Sequence, residues 1–392
     1  MSSIRTRSVL AALTGLLFSS GVALAADGQA FAERLKAVMA PSTRLEFGAV
    51  SNEGDDVVMN DARVTPAQGG SEPFDLGTLR FENVTGSNAD GWRVARVQLG
   101  DIRQTSGDVA TNVSNAILEG LTIRPDTANT AVLSPLFLER STIGSISVAK
   151  ADRSVVSVND ISVVTQPSEG EGLASSIALG KFTFDTAATG NAGLTQVMAD
   201  LGYAQLTGSL QGAGSWQPQT GALSLSDLKI AVENAGQLNL AYTITGYTPN
   251  FIQSLSQVSQ QLEASDGQNQ NAGMAVIGLI SQLYLQSATL AFEDQSLTNR
   301  VLDYFAKQNG QPREQFVETV KATVPLGLAY LQNPTFQAQV GEAVNDFLDN
   351  PRSIRLAIEP PAPIPATQIL GAAMGAPQTL PQVLNLSVQS GR

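Results

Sequence analysis

"LKIAVENAGQLNLAYTIT", Leu228 to Thr245, decides how the rest of the chain is read. Leu228, Ile230 and Val232 hold one parity, and Leu238, Leu240, Tyr242 and Ile244 continue it, while Lys229, Glu233, Asn239, Thr243 and Thr245 take the other. A period of two belongs to strands, whose successive side chains point to opposite faces. Asn234-Ala235-Gly236 supplies the turn, since Gly tolerates positive φ and Asn is enriched there. The stretch therefore predicts a hairpin with one dry face. Just upstream, Leu223 and Leu225 carry the opposite parity. A bulge or bend near Ser226-Asp227 is needed to keep the leucines on one side, and it predicts curvature at that point.

The same texture runs outward in both directions. "TRLEFGAV", "DVVMNDARVT", "LGTLRFENVT" and "GWRVARVQL", then "STIGSISVAK", "SVVSVNDISVV" and "SSIALGKFTF", read as short antiparallel strands separated by Gly, Asn, Asp and Pro clusters. No exact repeat is evident. "GQAFAERLKAVM" spaces Phe31, Leu35 and Met39 by four and predicts an opening helix. Short helices are expected around Val113 to Leu118 and Leu194 to Leu201. From Asn250 the period changes: Phe251 to Leu262 and Met274 to Leu285 read as helices joined by a polar connection, and "SATLAFED" returns to a strand. Ser296, with Leu297, Val301, Leu302 and Phe305 on one face, predicts a capped helix ending at Gly310. Pro312 and Asn333-Pro334 open two further helices, the second with Phe336, Val340, Val344, Phe347 and Leu348 on its buried side. The tail holds two strand-like pieces around a proline-rich connector, "PAPIPA".

These readings predict an α+β fold: a large curved, mainly antiparallel β-sheet with a helical insertion in the C-terminal half packed on it. The expected organisation is a signal peptide over 1–25, an N-terminal helix and β-rich region over 26–248, a mainly helical region over 249–352, and C-terminal strands over 353–392 completing the same body.

Arg5 and Arg7, the apolar run from Val9 to Phe18, and Ala23-Leu24-Ala25 have the form of a secretory signal, so cleavage is expected after Ala25. No later segment approaches the length of a membrane span. The whole chain carries a net charge of -12; the leader removes two arginines and no acids, leaving the exported part more acidic still. Such a surface repels phosphate backbones, and nucleic acid is not an expected partner. With 43% hydrophobic and 15% charged residues the chain is globular but poor in charge. It has no cysteine, hence no disulfide framework and no cysteine-acylated lipoprotein anchor. A periplasmic location is the resulting expectation.

Histidine is absent as well, which removes Ser-His-Asp catalysis, histidine bases and histidine-containing zinc sites. Ser147-Val148-Ala149-Lys150 matches S-x-x-K, but the match lies in an alternating run, and that motif needs a helix to bring serine and lysine together. Gly212-Ala213-Gly214 has glycines of a phosphate-binding turn without the strand-then-helix context, so a plain turn before Trp216 is expected. Glu53, Asp55 and Asp56, or Glu233 with Asp227, are carboxylate sets of the kind that bind calcium or cleave glycosides; solvated loop and strand charges explain them as well. Trp92 and Trp216 are the only tryptophans, too few for an aromatic platform. Tyr242, Phe305, Phe316 and Phe347 are expected to fill the core. No catalytic, cofactor-binding or metal residue is assigned, and no cofactor is expected.

Three stretches, "SNEGDDVVMNDARV…LGTLRFENVT…GWRVARVQL", "WQPQTGALSLSDLKIAVENAGQLNLAY" and "NDFLDNPRSIRLAIEPPAPIP…LPQVLNLSV", together resemble a group of exported, uncharacterised bacterial envelope proteins, and more distantly the AsmA-type lipid-handling proteins. The resemblance implies an extended, curved antiparallel sheet in the periplasm and carries over no functional residue; the AsmA-type membrane anchor is missing here. Two functions are expected from the sheet itself. A non-enzymatic envelope protein holding a lipid or other hydrophobic ligand in a β-sheet groove comes first, because an apolar sheet face must be covered. A structural or scaffolding protein that binds another envelope protein through an exposed sheet edge is the alternative.

Overall fold

The computed structural model describes residues 26–40, 43–66, 73–125, 134–263 and 270–391. The expected leader, 1–25, and part of the polar connection, 264–269, lie outside the described residues. Helix α1 (Gly28–Met39) comes first. The Asp27 carboxylate accepts from the Ala30 N–H at 3.0 Å and so satisfies one of the open donors at its start. Short strands β1 (Thr43–Glu46) and β2 (Val50–Glu53) lead to β3 (Asp56–Pro66), β4 (Phe74–Glu82), β5 (Thr85–Ser87), β6 (Gly91–Leu99) and β7 (Ile102–Ser106). Four long strands form the middle: β8 (Val109–Ile123), β9 (Leu136–Lys150), β10 (Arg153–Ser168) and β11 (Gly172–Asp185). Helix α2 (Ala192–Asp200) then precedes β12 (Gln205–Gln217), β13 (Ala222–Val232) and β14 (Gly236–Thr245).

Helices α3 (Pro249–Glu263) and α4 (Gln270–Ile280) separate β14 from β15 (Tyr284–Asp294). Helices α5 (Leu297–Gln308), α6 (Arg313–Gly327) and α7 (Pro334–Asp349) separate β15 from β16 (Ser353–Ile358). The tail adds β17 (Ile364–Pro365), α8 (Ala366–Gly375), α9 (Leu380–Val383) and β18 (Leu386–Ser390). The eighteen strands of the described residues join one open antiparallel sheet. From β8 onward each strand pairs with the next through β16, and β18 closes the series against β16.

Two caps sit on this sheet at opposite ends of the strand series. At the first, Phe31 is fully buried, with its ring 5.0 Å from Phe81 and 5.6 Å from Trp92 in edge-to-face contacts. Leu35 of the same helix and Met59, Val94 and Ile123 of the sheet complete that core. At the other end Phe336, Val340 and Ala343 of α7 bury against Val388 of β18, and Phe347 meets Phe292 of β15 at 6.5 Å.

The bulge expected at Ser226-Asp227 is present. Leu225 pairs with Tyr242 and Leu228 with Leu240, so β13 spends one residue more than its partner. The turn also forms as expected, with Asn234 at φ 58°. Parity is reset at other sites that the sequence reading did not anticipate. Met59 and Ala62 are three residues apart yet both fully buried in one core, because Asp61 between them has φ 52°. Asn115 in β8 and Asp160 in β10 take the same conformation, at φ 52° and 53°. Each faces a glycine on the neighbouring strand: a Cβ on Gly144 would lie 2.9 Å from that of Asn115, and one on Gly180 2.9 Å from that of Asp160. Asn and Asp tolerate the left-handed region better than other side chains, and glycine leaves the room such a kink needs.

That device explains a correction. Val113 to Leu118 is not a helix but part of β8. The kink at Asn115 makes Val113 and Ala116 equivalent along the strand, and a three-residue spacing mimics a helical face. The expected helix at Leu194 to Leu201 is present as α2. The proline-rich connector of the tail is also more structured than expected, since β17 lies within it and α8 starts at its last residue, Ala366. Ser296 does not cap α5 with its side chain; it donates to the Asn234 carbonyl. The start of α5 is held instead by the Ala235 carbonyl, which accepts from Gln295, Ser296 and Leu297 N–H groups at 3.0–3.2 Å, and by Asp294, whose Oδ1 accepts from Thr298 N–H at 2.8 Å. Phe305 is 47% exposed, stacked on Phe316, and not a core residue, whereas Phe347 is buried as expected.

Two substitutions test this account. Phe31→Ala should cost about 3–5 kcal/mol in denaturant unfolding and shift the emission of neighbouring Trp92 to the red. Asp160→Val should cost about 1–3 kcal/mol because a β-branched residue resists positive φ, whereas Asp160→Gly should change stability by less than about 1 kcal/mol.

Candidate functional site

The two caps leave the middle of the apolar face uncovered. Residues directly opposite in an antiparallel pair share a face, and one such row runs Val163, Ile177, Gly212 across β10, β11 and β12. The next, offset by the bulge, runs Leu228, Leu240, Leu290, Leu356 and Val388 from β13 to β18. Every residue of β9 is partly or fully exposed, and none is buried. Ile177, Leu238, Leu290 and Leu356 are each 37–41% exposed. The dry face expected of the β13–β14 hairpin is thus only half dry. Full burial of a large apolar side chain is worth about 1.5–3 kcal/mol, so each of these four leaves about 1 kcal/mol unrealised.

A trough of about 380 Å³ lies on this face, walled by Val163, Ile177, Leu225, Leu228, Tyr242 and Trp216. Its lining is predominantly apolar, with serines at the margin. The Gly212-Ala213-Gly214 run forms its floor rather than the expected turn, because β12 continues through it to Gln217. A Cβ on Gly212 would come 3.2 Å from Leu228 Cδ1 and 3.4 Å from Ile177 Cγ2, which places the missing side chain inside the trough. Glycine inside a strand often marks such a close approach. Trp216 is fixed at one end by its indole N–H, which donates to the Tyr247 carbonyl at 2.7 Å. Sequence reading marks Gly212 only as part of a turn and does not single out Ile177 or Val163. A glycine pair at alternate positions of a strand, in line with apolar residues on the strands beside it, is the signal that identifies them.

The sequence-derived chemical candidates do not assemble. Ser147 and Lys150 lie on β9, paired with Ser157 and Arg153, and a strand turns residues three apart to opposite faces. Glu53 and Asp56 meet, but on Arg80, at 2.7 and 2.8 Å. Asp56 also accepts the Asn83 N–H at 2.9 Å, which with Arg80 holds its carboxyl below the usual aspartate range. Asp227 pairs with Lys229 at 3.1 Å on the bulge, whereas Glu233 lies beyond the far end of the same strand. Among the described residues no group of three or more acidic side chains is placed to hold a metal ion. Likewise no described helix is long and apolar enough to cross a membrane.

Comparison with known proteins adds one match. A family model described as "Uncharacterized protein" matches residues 229–391, from within β13 to the end of β18. No curated protein matches the chain.

The Asp56 carboxylate gives a pH prediction. A depressed folded pKa stabilises the fold fully above the unfolded value and loses that contribution as pH falls through the depressed one. Asp56→Asn should therefore lower the melting temperature at neutral pH, and the gap to the parent should close on acidification below about pH 4.

Proposed function

We propose that the chain is a non-enzymatic periplasmic protein of the cell envelope, exported with cleavage after Ala25, that holds a lipid acyl chain or another hydrophobic ligand against its apolar sheet face. On this reading the sheet curves at the bulges, and the helices of 249–352 act as an insertion that closes one end of the face and leaves the trough accessible. The distant AsmA-type resemblance belongs to the same proposal. The observation that supports it is the trough: concave, apolar, floored by Gly212 and open to solvent in a sheet whose ends are both covered. Ligand sites are generally apolar clefts of this kind with a few polar groups at the margin.

Trp216 and Trp92 make the reading testable, because one lines the trough and the other is only 2% exposed in the α1 core. In a Trp92→Phe variant, a brominated fatty acid should quench Trp216 emission saturably. A Trp216→Phe variant, retaining Trp92, should show little quenching. Gly212→Val, which places a β-branched side chain in the trough with the strand retained, should weaken the quenching about tenfold or more with an unchanged far-UV spectrum. Equal quenching of both tryptophans would refute the site.

The alternative, scaffolding by strand addition, draws on a different feature. Among the described residues β18 pairs only with β16, beside a cleft of about 770 Å³ lined in part by Glu342, Asp346, Arg355 and Gln389. Native mass spectrometry of the extracted protein separates the two: a co-purified lipid favours the trough, and a stoichiometric protein partner without lipid favours the edge.

A further inference from the structure

The strand ends nearest the trough carry a second apolar surface, built by helices rather than strands. Trp216 pairs with Leu223, Leu223 with Ile244, and Ile244 with Leu285, so this end of the sheet runs from the trough into the start of β15. Two helices from distant parts of the chain converge there. Helix α4 finishes three residues before β15, and α8 begins where the Ala366 N–H donates to the Leu283 carbonyl at 2.9 Å. One side of α4 packs on α3 through Ala275, Val276 and Leu279. Its other side leaves Met274 75% and Ile277 59% exposed. Helix α8 has no buried residue, and its Leu370 and Met374 are 39% and 87% exposed.

Charge composition says what such a surface suits. Residues 267–292 and 360–391 contain no Asp, Glu, Lys or Arg, although such residues make up 15% of the chain. A protein partner is commonly met through a polar, charged rim around an apolar centre; the two helices carry no charged side chain, and the exposed acids Glu169 and Glu171 sit apart from them at the β10–β11 turn beside Trp216. An anionic surface would call for lysine or arginine, and none is supplied there, while the chain as a whole is acidic. An electroneutral bilayer needs neither. We propose that α4 and α8 together form a tip that inserts Met274, Ile277, Leu370 and Met374 shallowly into a zwitterionic lipid surface, with the trough opening just behind it. The assignment of a lipid surface rests on the reading of the trough as a hydrophobic-ligand site, while the tip's own geometry does not.

Flotation of the exported chain with phosphatidylcholine–phosphatidylethanolamine vesicles tests it. The parent should float with the vesicles and continue to do so in high salt, because no ion pairing is involved. Met274→Glu/Ile277→Glu and Met374→Glu should each weaken flotation about tenfold, with little change in thermal unfolding since these three side chains are 59–87% exposed. The same variants should retain quenching of Trp216 by monomeric brominated fatty acid, which separates loss of the tip from loss of the trough. Flotation by the parent without any Trp216 quenching would sink the trough and leave the tip standing. Failure of the parent to float, equal flotation by the glutamate variants, or binding only to phosphatidylglycerol vesicles with loss in salt would each overturn the proposal.

Discussion

A strand alternates its side chains without exception, so a sheet of long strands keeps one apolar face only if every irregularity is answered by another. That constraint shapes this chain more than any single contact. Asp61, Asn115 and Asp160 sit at positive φ inside or beside the pairing ladder, and each resets the alternation so that residues three apart occupy one side. Gly144 and Gly180 accept the crowding this causes on neighbouring strands. A left-handed conformation costs a non-glycine residue about 1–2 kcal/mol, and Asp and Asn reduce that cost by bonding locally. The expense is offset because the alternative is to turn an entire apolar row into water.

Once the face is continuous, its coverage becomes the next question. Helix α1 supplies Phe31 and Leu35 at one end, and α7 supplies Phe336, Val340 and Phe347 at the other. Neither reaches the span from β9 to β14, where side chains of the same face stay half open. A fold selected only for stability would gain about 1 kcal/mol for each such residue covered. The caps, in contrast, are closely specified. The Ala235 carbonyl gathers three N–H groups at the start of α5, and Arg300 donates to the Leu201 and Gly202 carbonyls while stacking 4.8 Å from the Tyr203 ring. The hairpin that forms one wall of the trough is thereby tied to α2 and α5, and its position does not depend on what fills the trough.

The sheet was legible because its signal is local. Alternation in Leu228 to Ile244, the Asn234 turn and the bulge at Ser226-Asp227 all follow from neighbouring residues, and so do α1, α2 and the Asn333 cap of α7. What failed was also local in form but not in cause. The i, i+3 spacing at Val113 and Ala116 comes from a kink at Asn115 whose accommodation lies in Gly144 on the neighbouring strand, 29 residues away in the chain. Exposure at Phe305 depends on which helix lies over it, which periodicity does not encode. The trough was invisible for the same reason: Val163, Ile177, Gly212 and Leu228 belong to four strands, and only register places them together. The glycines of 212–214 read in sequence as a plain turn before Trp216, whereas β12 continues through them and their lack of side chains makes the floor of the trough.

An open apolar face also invites copies of the chain to stack or to add strand to strand, and several features oppose this. The outermost strands are short, four residues in β1 and five in β18, which limits edge-to-edge pairing. Prolines at 360, 361, 363 and 365 interrupt the chain between β16 and α8, near the same border. The face opposite the apolar rows carries Lys229, Asn239 and Arg355 in cross-strand positions, so stacking there would bury charge. A net charge of -12 then keeps copies apart at long range. Together these features oppose stacking and edge pairing along a strip of the sheet that the two caps leave uncovered.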